Sequence, residues 1–247
     1  MMIVGKTQSM INRIFALVLS AACSLPLQAK DEALDTAISL AELALKADAV
    51  LVAQVKDTDY FYRHDYPVSG SAYLKVLIPY KLENAIDILE INEKGLHENE
   101  CYFPGPTVFE EGRRYLLFLK HDPEKPESFR GLDEGCALEI LVDKDNRYTL
   151  KYPVSGIDLS DSLEELARET IFSDPYAIEN EDSLTSTERK FMLEAGLIIP
   201  WEAPSGDMEP GVFGVPQKSY QGKQWIYTKA IDLTTIRKLM GPELNNR

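Results

Sequence analysis

The sequence predicts a mainly β protein, a small barrel or sandwich entered through a short helix and followed by a C-terminal extension of helices and loops. Three observations carry this. Short runs rich in β-branched and aromatic residues recur between Ala49 and Tyr152, separated by turn residues. Capping boxes of the form Ser/Thr-x-x-Glu begin at Ser39, Ser162 and Thr185, outside those runs. After Tyr152 the strand runs give way to the last two boxes and a proline- and glycine-rich stretch. The 247 residues are 45% hydrophobic and 27% charged, an ordinary globular composition that can form one good core plus extensions.

Taken in order, Ser39 caps a helix over about Leu40–Lys46, with Glu42 reaching back; Leu34, Ile38, Ala41 and Leu45 recur at helical spacing and extend the pattern upstream. Asp48 ends it. Ala49–Lys56 reads as a strand, Asp57–Gly70 as a long irregular connection, and Ser71–Ile78 as a second strand with Ala72, Leu74, Val76 and Ile78 on one face. Pro79–Asn84 turns the chain into a third strand, Ala85–Ile91. Arg114–Lys120 is a fourth, and Ala137–Val142 with Arg147–Tyr152 forms a hairpin across Asp143–Asn146. Beyond this, Ser162 opens a helix to about Phe172 and Thr185 opens one that stops at Gly196. Pro200–Gly222 is mostly loop, Gln224–Lys229 a strand, and Asp232 caps a last helix ending before Gly241-Pro242. The pentapeptide Tyr-Pro-Val-Ser-Gly at Tyr66–Gly70 and Tyr152–Gly156 has unmatched flanks and reads as two similar turns.

The first residues read as an export signal. Lys6 and Arg13 are the only charges before Lys30, an apolar run Ile14–Leu25 follows, and Ala29 supplies a small residue for cleavage. Met10 makes a compact alternative start. The run is short for a bilayer span, so the mature protein is expected in the periplasm or secreted, without stable membrane insertion. Cys23 opens a rival reading as a lipidated cysteine, but Ser20-Ala21-Ala22 lacks the usual aliphatic residue three positions before it. Removal of residues 1–29 reduces three cysteines to Cys101 and Cys136, and an even count in an exported chain implies a disulfide. The formal charge of −14 disfavours phosphate backbones and anionic membrane surfaces, so no nucleic-acid partner is expected.

The ordered set Ala47–Val55, a second strand, a lysine turn, a third strand, a cysteine and then Phe109-Glu-Glu-Gly-Arg-Arg-Tyr-Leu-Leu-Phe-Leu119 resembles the OB-fold domain shared by tissue inhibitors of metalloproteinases and netrin modules, above all its exported bacterial versions. The resemblance covers Ser39 to Tyr152. It implies an OB-like barrel and a disulfide from Cys101, with Cys136 the available partner. The animal inhibitors dock on a protease zinc through an N-terminal cysteine. The expected mature start Lys30-Asp31-Glu32 has none, so that mechanism does not transfer. The expected organisation is therefore signal 1–29, OB-like barrel with its N-terminal helix 30–156, and a C-terminal extension 157–247 packed on the barrel.

No chemical constellation is legible. His64, His97 and His121 fall in different predicted loops without ligand spacing, and no nucleophile elbow or phosphate-cradling loop occurs. Asp143-Lys-Asp145-Asn begins like a calcium loop, but Tyr148 and Val154 occupy its sixth and twelfth positions. No catalytic residue, cofactor or metal is expected. The strongest functional stretch is Asp57–Tyr66, where Tyr60, Phe61, Tyr62, Arg63, His64 and Tyr66 crowd the connection between the first two strands. In OB folds that connection flanks the binding face, and Tyr, Phe and Arg are common interface anchors. Two readings stand: the aromatics pack beneath the C-terminal segment, as Trp201 and Trp225 would, or they bind another envelope or secreted protein. A hydrolase site between barrel and extension is the enzymatic alternative; a lipid-anchored envelope component is the third.

Overall fold

The computed structural model describes residues 37–64, 66–93, 109–132, 134–202, 222–241 and 244. The predicted signal segment, Cys23 and Cys101 lie outside them. Helix α1 is Leu40–Lys46, with the Ser39–Glu42 box closed in both directions. Its buried stripe is Leu40, Leu43 and Ala44, with Ala47 just beyond, whereas Ala41 and Leu45 face outward. The upstream periodicity is thus misread by one position, and Ile38 is not helical but bridges Leu159. Lys81 closes the helix C-terminus by donating to the carbonyls of Ala44, at 3.3 Å, and Ala47. A lysine there satisfies orphan carbonyls and complements the negative end of the helix dipole.

Seven strands follow: β1 Ala49–Arg63, β2 Tyr66–Lys81, β3 Ile88–Glu93, β4 Arg114–His121, β5 Phe129–Gly131, β6 Ala137–Val142 and β7 Tyr148–Tyr152. The protein is mainly β, and β1, β2, β3, β5 and β4 close into a five-stranded barrel through the β1–β4 pairing. The β3–β5 pair is parallel and the others antiparallel, an OB-like arrangement. The sequence reading did not find β5. Strands β5 and β6 line one edge of β4 in succession, Gly131 opposing Leu119 and Ala137 opposing Leu117. Between them the chain leaves the ladder and turns, Gly135 N donating to Leu132 O at 3.0 Å, before β6 and the β6–β7 hairpin. Gly135 is at φ 112°, where a Cβ would lie 2.9 Å from the Gly156 carbonyl.

Strand β1 from Ala49 to Val55 and strand β4 are buried on both faces, which explains why they read as unbroken apolar runs instead of alternating ones. Leu51, Ala53, Val55, Tyr115, Leu117 and Leu119 face the barrel interior. Val50, Val52, Leu116 and Phe118 face outward, into a second core completed by α1 and by helix α3, Leu233–Leu239. Asp232 caps α3 as expected, accepting from Thr234 N at 2.6 Å.

The C-terminal segment keeps the helices expected after Thr185 and Asp232 and the strand expected at Gln224–Lys229, seen at Gln224–Tyr227, and adds further strands. Strands β8, Arg168–Glu169, and β12, Lys229–Asp232, extend the barrel's own sheet through β7. Strands β9 Ile178–Asn180, β10 Ile198–Trp201 and β11 Gln224–Tyr227 form a separate three-stranded sheet. Helix α2, Ser186–Glu194, starts at the Thr185–Glu188 box as expected, and Gly196 follows it at φ 64°. The predicted helix from Ser162 to Phe172 is absent: a single 3₁₀ turn, Glu164–Leu166, has no side-chain cap, and β8 follows. Pairing with β12, together with Thr170 N donating to Thr228 O at 2.8 Å, overrides the local capping signal.

Candidate functional site

Residues 57–63 do not form a loop. They continue β1, and β2 begins at Tyr66, so the two strands leave the barrel as one ribbon. The physical cause is the antiparallel pairing of 57–63 with β2, from Tyr73 back to Tyr66. Thr58, Tyr60 and Tyr62 lie on one face; Asp57, Asp59, Phe61 and Arg63 lie on the other. Two irregularities shape the ribbon, an extra residue in β1 at Lys56 and one in β2 at Val68. Between them β1 runs regularly from Asp57 to Phe61, continuing to Arg63. Tyr60 stands opposite Gly70, whose φ is 150°; a Cβ there would lie 2.3 Å from the Asp59 carbonyl and 2.7 Å from the Tyr60 ring, so glycine admits the aromatic. His64 carries the chain into the reversal at φ 60°.

The structure therefore separates the predicted site residues. Tyr60 is half-buried and packs against the barrel core. Phe61 and Tyr62 are 68% and 51% exposed, and Arg63 and His64 are exposed as well. Tyr66 pairs in register with Arg63. Among the described residues, none of the C-terminal segment buries Phe61 or Tyr62, and Tyr60 packs on the barrel interior. Strand β4 accompanies β1 to Gln54, and the last backbone bonds on that side join Val55 to Arg113 and Gly112, each at 2.9 Å. Among the described residues, no strand pairs with the outer edge of 57–63. This edge and its carboxylates are features that the loop reading missed. Asp57 and Asp59 stand opposite Tyr73 and Ser71, and Glu90 is across from Tyr73 on β3. Glu90 accepts from Ser71 Oγ at 2.6 Å and from Lys125 Nζ at 2.7 Å; those hydrogen bonds hold its carboxyl below the usual range.

The junction of barrel and C-terminal segment is filled. Lys151 on β7 bonds Glu139 at 2.7 Å and Glu179 of β9 at 3.2 Å, and its ammonium lies 4.2 Å from the centre of the Tyr227 ring. Arg113 bonds Glu139 and Glu110 and lies 4.8 Å from the centre of the Tyr176 ring. Burial opposes the charge on Lys151, but Glu139, Tyr227 and Glu179 overcome it and raise its pKa. Burial likewise opposes charge on Glu139, and Lys151 and Arg113 hold its carboxyl below the ordinary range. Burial pushes Tyr227 up to about 12. Arg114 reaches Asp174 at 3.0 Å, yet burial still raises Asp174. Every one of these charges faces an opposite charge, so the arrangement joins two parts of the fold rather than presenting a reactive group.

A shallow cleft of about 340 Å³ lies beside the β6–β7 turn, lined by Asp143, Arg147, Arg168 and Asp232 among others. Its acids serve the local fold: Asp143 accepts from Asp145 N at 2.8 Å and Arg147 N at 2.9 Å, and Asp232 caps α3. Asp143–Asn146 is a polar hairpin turn. Among the described residues, no group of three or more His, Cys, Asp or Glu is placed to hold a metal ion, and no helix is long and apolar enough to cross a membrane.

Cys136 is 3% exposed in the barrel core, and its carbonyl accepts from Phe118 N at 2.8 Å. Since Cys101 lies outside the described residues, the Cys101–Cys136 bond remains an expectation, worth about 3–4 kcal/mol on the chain-entropy model. Denatured protein lacking residues 1–29, purified without reductant, should label at both cysteines after reduction and at neither before. Thiol labelling without reduction would contradict the bond. Comparison with protein-family models and with curated proteins gave no match.

Proposed function

We propose that this chain is an exported, non-catalytic OB-fold module that works in the cell envelope through protein contacts, with the β1–β2 ribbon as the contact. The observation that carries this reading is the ribbon itself, which presents Phe61 and Tyr62 at 68% and 51% exposure beside a strand edge that no strand among the described residues pairs. Exposed aromatics on a rigid β framework suit an interface anchor. Asp57, Asp59 and Glu90 on the outer sheet favour a protein over a polyanion as partner. The filled ion-pair junction weighs against a hydrolase site between barrel and extension. Export rests on the Lys6–Ala29 signal pattern, and the module reading rests on the closed five-stranded barrel.

A photo-cross-linking residue in place of Phe61 tests this in intact cells, with the same probe in place of Phe191 on α2, 65% exposed, as the control. The expected result is a discrete protein adduct from position 61 and none from 191. No adduct from 61, or the same adducts from both, overturns the reading.

A further inference from the structure

The outer edge of β1 from Asp57 to Arg63 is complementary to itself. We propose that it pairs antiparallel, about a two-fold axis at Tyr60, with the same edge of a second copy of this chain. This deepens the proposed function and rests on it, because it names the protein that the ribbon binds.

The argument begins with backbone chemistry. The segment is extended, is paired to β2 on one side, and on the other side has no strand among the described residues. Unpaired edge groups template another strand unless something blunts them. Proline, one common blunting device, does not occur between Asp57 and Arg63, and the bulge at Lys56 lies at the segment's start.

Side chains then select the partner. With Tyr60 opposite its own copy, Asp57 of each chain faces Arg63 of the other, and Asp59 faces Phe61 on the same surface. Thr58 faces Tyr62 on the opposite surface. Among the described residues, neither the Asp57 carboxylate nor the Arg63 guanidinium makes an ion pair; Asp57 Oδ1 accepts from Thr58 N at 2.9 Å, which leaves its charge uncompensated and open to the second copy. The pairing places two opposite-charge contacts at the ends and aromatic side chains between them, covering Phe61 and Tyr62. A seven-residue strand pair is smaller than a standard stable interface, so the dimer is expected to be weak, with Kd on the order of 10–1,000 µM.

Sedimentation velocity of the purified mature chain, from about 10 µM to 1 mM, reads this directly. The expected result is a monomer–dimer equilibrium. Asp57→Arg or Arg63→Asp alone weakens it roughly 5–30-fold by placing like charges at both ends, and the double variant Asp57→Arg/Arg63→Asp restores it. Restoration also shows that the substituted ribbon still folds. A chain monomeric throughout, or a dimer that Asp57→Arg leaves unchanged, overturns the inference. The mass of the position-61 adduct separates this outcome from the broader reading: an adduct with a different protein keeps the ribbon as a contact even where self-pairing fails.

Discussion

Phe118→Ala should lower the stability of the folded chain by about 3–5 kcal/mol. Phe118 is fully buried on the outward face of β4, in the core that α1 and α3 complete. Removing its ring takes atoms from the contact between barrel and both helices, and the backbone of a strand paired on both edges cannot collapse to fill the gap. For a chain of this size the loss corresponds to a fall of roughly 6–20 °C in Tm. Urea unfolding followed by circular dichroism checks it, with Phe61→Ala as the comparison. That ring is 68% exposed, so its loss should change stability by less than about 0.5 kcal/mol while removing the contact proposed for the ribbon. Equal destabilisation by the two substitutions would contradict a core on the outer face of β4. The pair thus separates a residue that holds the fold from one that the fold displays.

The barrel was legible in the sequence where local pattern and tertiary demand agree. The Ser39 and Thr185 boxes start helices at their predicted residues, since each side chain satisfies backbone groups only a turn away. The runs at Ala49 and Tyr115 marked strands, and their lack of alternation already carried the second core, because a strand covered on one face alone would alternate. Elements that depend on distant partners were not legible. Phe129–Gly131 is too short to show a period, and it is a strand because β4 and β3 flank it. The Ser162 box failed because β12 offers Arg168 and Glu169 a sheet ladder from more than fifty residues downstream. The candidate site was half legible. Its aromatics stood out by composition, but Asp, Thr and Asp at 57–59 suggested a turn and concealed the strand edge. The pairing with β2 from Tyr66 to Tyr73 makes that polar segment extended, and no local preference announces it.

Glu139→Ala should have an effect of similar size, about 3–5 kcal/mol, for an electrostatic reason. Glu139 sits between Lys151 and Arg113, and the side chains of Glu139 and Lys151 are 15% and 9% exposed. Its removal leaves Lys151 with Glu179 alone, at 3.2 Å, in surroundings that penalise an uncompensated ammonium. Lys151→Met should cost less. A methionine can keep the contact with the Tyr227 ring, Glu139 keeps Arg113, and Glu179 keeps the Tyr227 hydroxyl at 3.4 Å. The double variant should therefore be more stable than the sum of the single losses requires, with a coupling of about 0.5–3 kcal/mol; strict additivity would mean that the two charges do not act together. Acid gives an independent check. Because the folded protein holds the Glu139 carboxyl below its ordinary value of 4.5, the unfolded chain binds the proton more readily. The stabilisation is complete above about pH 4.5 and is lost as pH falls through the lower folded value. Glu139→Ala should accordingly flatten the decline of stability below pH 4.5 without abolishing it, since Glu90, Glu134 and Asp143 are also held low by their partners. Lys151, raised above 10.5, keeps its contribution through neutral pH and loses it only in strong base. A network with these signs holds β9 and β11 to the barrel across the pH range in which its carboxylates stay ionised. The C-terminal segment is fixed there by paired charge, and the β1–β2 ribbon lies outside that network.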